Sequence, residues 1–180
     1  ATSFVADVTK MQDISDLANF ALQKFGTIDI WINNAGITFP AQGLKIEAMD
    51  LEATHRVMEV NFFGTLYGSY KALEVMKGRK KGVIVDIISI RALSGDVRMG
   101  VYTASKWAAR GLTEALQDEA RADNIKVVAV YPSGMQTNIW GKEHPADYAS
   151  FMKPEFVADK ILQNLTQENP EEELIIRRAS

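Results

Sequence analysis

A tyrosine and a lysine stand four residues apart in Tyr102-Thr103-Ala104-Ser105-Lys106. At the start of a helix that spacing projects both side chains from one face. An ammonium beside a phenol lowers the phenol pKa. A phenol left at its ordinary value of about 10 exchanges protons poorly at neutral pH; one brought down becomes a usable general acid or base. Alone the pair is not distinctive, because a surface pair on any helix has the same spacing. Ser89 adds the second element. It follows the apolar run 83–88 and lies thirteen residues before Tyr102. In a parallel α/β sheet, ligands bind beyond the carboxyl ends of the strands. Ser89, Asn34, Gly36 and the turn at Pro132 all fall at such ends, so polar groups from separate strands converge on one edge.

The elements that must position these residues can be read along the chain. Residues 3–6 read as a short apolar strand ending at Asp7. Thr9 is expected to cap a helix, with Gln12 three residues on as in a capping box. Met11, Ile14, Leu17, Ala18, Ala21, Leu22 and Phe25 keep one helix face apolar, and Gly26 stops it. Residues 28–32 form a buried strand that runs into Asn33-Asn34-Ala35-Gly36. A polar loop with Pro40 and Gly43 follows, then a long helical stretch over 49–76, where Gly64 and Gly68 point to close packing of a neighbour. The run 83–88 is apolar nearly throughout, as suits a parallel sheet covered on both faces. A helix over 102–122, a buried strand over 125–131 ended by Pro132, a helix opened by Pro154 and running to Leu165, and a strand over 174–176 complete the order. Strands alternating with helices argue for an α/β fold with a parallel sheet and right-handed crossovers. With no repeat or linker, residues 1–180 read as one domain.

Composition narrows the class. The chain is 47% hydrophobic and 24% charged, as in soluble globular proteins and unlike disordered ones. A net charge of −3 argues against a nucleic-acid partner. The basic run Lys77, Arg79, Lys80 and Lys81 reads as a solvated helix end, where cations suit the helix dipole. The absence of cysteine removes disulfides, thiol catalysis and thiolate metal sites. His55 and His144 lack metal-ligand spacing, so no metal is expected. No apolar run approaches the length of about 20 residues needed to span a bilayer, and the opening lacks the basic start and apolar block of a signal peptide. The expectation is a cytoplasmic protein without a membrane partner.

Taken in order, Asp7-Val8, Asn33-Asn34-Ala35-Gly36, Asn61 within VMEVNFFG, Ser89, Tyr102-x-x-x-Lys106 and the turn 132–137 resemble the short-chain dehydrogenase/reductase family along essentially the whole chain. The resemblance implies a Rossmann-like doubly wound parallel sheet that binds NAD or NADP. It implies interconversion of a carbonyl and a secondary alcohol by hydride transfer. In that reading Tyr102 exchanges a proton with the substrate oxygen and Ser89 donates a hydrogen bond to it. Lys106 lowers the Tyr102 pKa and binds the nicotinamide ribose. Asn61 holds a water for proton relay; a locally bonded helix asparagine is the alternative. Asn34, Ala35 and Gly36 let the cofactor approach the backbone, with no side chain at Gly36. Asp7, with Val8 beside it, contacts the adenine, unless it is a simple turn residue. Pro132 and Ser133 belong to the turn against the cofactor. Met135 offers backbone groups, and Thr137 its hydroxyl, to the nicotinamide carboxamide.

The chain also departs from the family pattern. Ser133 interrupts the usual Pro-Gly. Asp86 replaces the usual asparagine on a buried strand, where a carboxyl needs partners or a raised pKa. No GxxxGxG or GxGxxG occurs. The chain reads as starting at the family's third strand, without about 50 residues comprising strands 1 and 2, their helices and the phosphate-binding turn. That absence keeps open a cofactor-poor binding or scaffold protein on the same fold. A substrate loop over 138–153, with Ile139, Trp140, His144, Tyr148, Phe151 and Met152, suits a moderately apolar carbonyl or alcohol, although the same residues could simply pack the loop. By resemblance, the helices carrying Phe62, Phe63, Tyr67 and Trp107 form the contact of a homodimer or homotetramer.

Overall fold

Four parallel strands form the centre of the structure, a computed structural model that describes residues 1–38 and 44–178. They are β1 (Ile30–Asn33), β2 (Gly82–Ile87), β3 (Ile125–Pro132) and β4 (Glu173–Ile176), adjacent in that order. The register aligns Asn33 of β1 with Asp86 of β2 and Asp86 with Ala129 of β3. Ile84, Val85, Val127, Val128 and Val130 are buried. Both sheet faces are covered at β2 and β3, and their near-continuous apolar runs follow from this.

The helices supply that cover. On one face α1 (Met11–Phe25), α3 (Gly64–Lys77) and α4 (Gly100–Arg121) bring Ile14, Ala18, Met76 and Leu116 against Trp31, Ile84 and Val127. On the other, α5 (Pro154–Leu165) packs Val157 with Val85, Val128, Val130 and Ile176. The architecture is therefore α/β with a parallel sheet flanked by helices. Among the described residues no helix is long and apolar enough to cross a membrane.

Several sequence expectations need correction. Residues 3–6 form no strand, and Val5 is 97% exposed. A strand needs a partner for its backbone groups, and among the described residues none lies beside this segment. Thr9 does not cap α1. Its hydroxyl and N–H donate instead to Asp7 Oδ1, at 2.8 and 3.0 Å. The Asp7 N–H donates to Asp13 Oδ2, while Gln12 bonds to Asp16, so no capping box forms. The helix expected over 49–76 is divided into α2 (Leu51–Met58), a π-helical turn (Glu59–Phe63) and α3. Asp50 caps α2 by accepting the Ala53 N–H at 2.8 Å. Both glycines of this stretch meet neighbours. A Cβ at Gly64 would come within 3.0 Å of Val8 Cγ2, and one at Gly68 would overlap Asn33 Oδ1. The helix over 102–122 begins earlier, at Gly100. The loop with Pro40 and Gly43 lies outside the described residues.

Candidate active site

Tyr102 and Lys106 lie on the first turns of α4, and Ser89 lies just past β2; all three are buried. Together they line a cleft of about 850 Å³. The same cleft is lined by Asn34, Ala35 and Gly36 after β1, and by Pro132, Ser133, Met135 and Thr137 after β3. Strand ends separated by most of the sequence thus meet at one sheet edge. Asn61, Asp7 and Val8 do not line it. Val8 faces a smaller hollow beside β1, and Asp7 is occupied with its own turn, where the Thr9 hydroxyl and N–H hold its carboxyl below the usual range.

Asn61 sits directly behind the cleft with no exposed surface. Its carboxamide grips the backbone of Ile37 from both sides: Oδ1 accepts the Ile37 N–H at 2.8 Å, and Nδ2 donates to the Ile37 carbonyl at 2.9 Å. Nδ2 also donates to Ser105 Oγ at 2.9 Å. The side chain therefore joins three elements. The π-helical turn that presents it is a form that recurs at functional sites. Ser105 went unnoticed in the sequence, although it lies inside the Tyr-x-x-x-Lys motif. Its hydroxyl donates to the Tyr102 carbonyl at 2.7 Å and so couples the start of α4 to Asn61.

Burial dominates the titration of the central pair. The Tyr102 phenol is pushed above its ordinary value by burial, against the pull of the Ser89 hydroxyl and the Arg91 guanidinium. The lowering expected from Lys106 is not what sets the phenol here. Lys106 Nζ lies 5.8 Å from the Tyr102 ring centroid and donates to the Ile87 carbonyl at 3.2 Å. Burial brings the lysine down to about 8, and the nearby Asp86 carboxylate opposes that fall. The missing partners of Asp86 are now visible: Asn33 Nδ2 and Thr113 Oγ1, each at 2.7 Å. Burial raises this carboxyl despite both bonds.

The turn after β3 is tied from several directions. Ser133 donates its N–H to the Ile176 carbonyl, and its hydroxyl accepts the Arg178 N–H. A Cβ at Gly134 would lie 2.8 Å from the Phe151 ring, so glycine is required for that approach. The Met135 carbonyl accepts from Thr137 N–H and Trp140 Nε1. In the loop over 138–153, Trp140, Tyr148 and Phe151 form one aromatic cluster, with the His144 ring stacked on Tyr148 at 3.9 Å. Ser89 Oγ accepts the Arg91 N–H at 3.1 Å. Arg91 itself, unremarked in the sequence, pairs with Asp96 at 2.6 Å.

The chain has known counterparts. The profile of the short chain dehydrogenase family matches residues 1–147. An uncharacterized oxidoreductase of Staphylococcus aureus (strain MRSA252) is 31% identical over 161 residues, covering 89% of this chain and 68% of the relative. The 3-ketodihydrosphingosine reductase of Bos taurus is 32% identical over 170 residues, covering 88% of this chain and 50% of that protein. Among solved structures, ElxO with NADP bound superposes with a TM-score of 0.87 at 28% identity, covering 98% of this chain and 76% of that one. The 3-ketoacyl-(acyl-carrier-protein) reductase from Brucella melitensis, complexed with NADH, gives 0.84 at 26% identity, covering 96% and 75%. The chain belongs to the short-chain dehydrogenase/reductase family of oxidoreductases, and it spans half the length of the Bos taurus reductase that it matches.

Proposed function

We propose that this protein is an NAD- or NADP-dependent oxidoreductase that interconverts a carbonyl and a secondary alcohol by hydride transfer, with Tyr102 as the general acid and base. One observation carries the reading: the Tyr102 phenol, the Ser89 hydroxyl and a buried Lys106 ammonium share one cleft. The relatives add support, since a ketone reductase and structures with NADP or NADH bound are among them.

The residues present suit a dinucleotide. Among the described residues, Lys106 Nζ has a single hydrogen-bond acceptor, the Ile87 carbonyl, so its remaining hydrogens can serve sugar hydroxyls. Gly36 leaves the backbone bare beside Lys106 and Asn61, where a Cβ would stand 3.6 Å from both side chains. When bound, the nicotinamide supplies or takes up the hydride. Ser89 orients the substrate oxygen through its hydroxyl hydrogen, while one lone pair of the same oxygen accepts the Arg91 N–H. Tyr102 delivers a proton to that oxygen in reduction and removes it in oxidation. The buried phenol is neutral at pH 7, and therefore ready as a donor. Lys106 supplies positive charge near a forming phenolate, and Asn61 fixes the loop against which the cofactor lies. The exposed aromatic side chains Phe63 and Trp107 support a homodimer or homotetramer.

Ketone-dependent oxidation of NADH and NADPH, followed by nicotinamide absorbance, tests the reading. Turnover of a ketone with either nucleotide is expected. Absence of nucleotide binding by fluorescence titration would leave a cofactor-free scaffold in its place.

A further inference from the structure

The cleft carries more charge than hydride transfer uses. Among its described lining residues are Arg91, Lys106 and Arg178, facing Asp96 and Asp147. Lys106 lies buried beneath Tyr102. Arg178 is committed to the far wall: Nη1 donates to Asp147 Oδ2 and Ser150 Oγ, both at 2.8 Å, and its guanidinium lies 5.7 Å from the Phe151 ring centroid. Arg91 differs from both. It stands two residues beyond Ser89, to whose Oγ it donates its backbone N–H. Its charge reaches the Tyr102 phenol, since it opposes the rise that burial imposes there. Its ion-pair partner among the described residues is Asp96, and both side chains keep 35% of their surface exposed.

We propose that Arg91 recognises a carboxylate or similar oxyanion on the substrate, one or two carbons from the reacting carbonyl, and that Asp96 holds the guanidinium until that anion replaces it. This inference rests on the proposed carbonyl chemistry and adds a substrate class: 2- or 3-keto acids and the hydroxy acids they yield. Ser89, Tyr102 and Arg91 line one cleft. A carbonyl oxygen at Ser89 and Tyr102 therefore leaves a neighbouring carboxylate within reach of the guanidinium, whose planar fork matches it. A partly exposed ion pair is weak, so a substrate carboxylate can displace Asp96 at small cost. Trp140 and Phe151 line the same cleft and suit an apolar remainder.

Benzoylformate and methyl benzoylformate differ in that one charge. Binding of each is measured by calorimetry, and reduction of each with NADH or NADPH, for the wild-type protein, Arg91→Gln and Asp96→Asn. The wild type is expected to favour the acid about tenfold or more, in binding and in kcat/KM. Arg91→Gln should erase most of that preference, mainly through KM for the acid. Asp96→Asn should tighten the acid without tightening the ester, because the internal competitor is gone. An acid-to-ester ratio unchanged by Arg91→Gln would overturn the proposal, as would Asp96→Asn weakening both compounds alike, which marks the pair as a loop staple. If benzoylformate binds through Arg91 while no ketone, charged or neutral, is reduced, the anion site stands and the oxidoreductase reading fails.

Discussion

In the proposed reaction two buried titratable side chains set the chemistry at the residue scale, and burial moves them in opposite directions. Tyr102 rises above its usual value while Lys106 falls to about 8. A phenol that holds its proton suits ketone reduction, and alcohol oxidation needs it deprotonated. The rate of oxidation should therefore climb with pH across the range where reduction stays level, as steady-state rates in both directions would reveal. Lys106 also leaves a mark on stability. Its folded value of about 8 lies below the unfolded 10.5, so the folded chain binds fewer protons between those limits. Below pH 8 the cost of the buried ammonium is constant, and it fades as pH climbs from 8 towards 10. The urea midpoint of wild type relative to Lys106→Met should rise across that window. Asp86 is the counterweight. Asp86→Asn removes the carboxylate that holds the lysine up, and should shift the alkaline limb of the kcat/KM profile to lower pH. A change in protein yield alone, with an unmoved profile, would reduce Asp86 to a structural residue.

At the element scale, glycine placement shows how closely the helices approach the sheet. Gly68 of α3 faces Asn33 and the Trp31 indole, and a Cβ there would overlap the Asn33 carboxamide. Gly68→Ala should destabilise the protein by about 1–3 kcal/mol in thermal unfolding. Gly111 of α4 is exposed, and a methyl group there would meet nothing within 4 Å, so Gly111→Ala should stabilise by about 0.5–1 kcal/mol. The same elements show what was legible beforehand. Near-continuous apolar runs place β2 and β3, which are covered on both faces, an apolar stripe at helical spacing places α4, and Pro154 marks the start of α5. The Ser89, Tyr102 and Lys106 convergence followed from strand ends and helix spacing. The π-helical turn is not legible, since Val57-Met58-Glu59-Val60-Asn61 reads as ordinary helix and the bonds of Asn61 to the Ile37 backbone lie far away in sequence. Residues 3–6 have the β propensity of a strand and form none, because propensity does not report whether a neighbouring strand is present. Arg91 and Ser105 were overlooked because long-range pairing carries no local signature.

On the scale of the molecule, β1 is the outer strand of the described sheet, and it is apolar. Ile30 is 48% and Ile32 53% exposed on this edge. The backbone groups along an outer strand can accept a further strand. The cleft itself is assembled by the whole sheet, as residues after β1, β2 and β3 all line it.

Substitution of a single oxygen atom tests the central claim most directly. In Tyr102→Phe the ring is retained and the exchangeable proton is lost. NADH or NADPH binding by fluorescence titration should persist, while the rate of ketone reduction should fall by about 10²–10⁴-fold. A variant that binds nucleotide and reduces ketones at the wild-type rate would contradict the account.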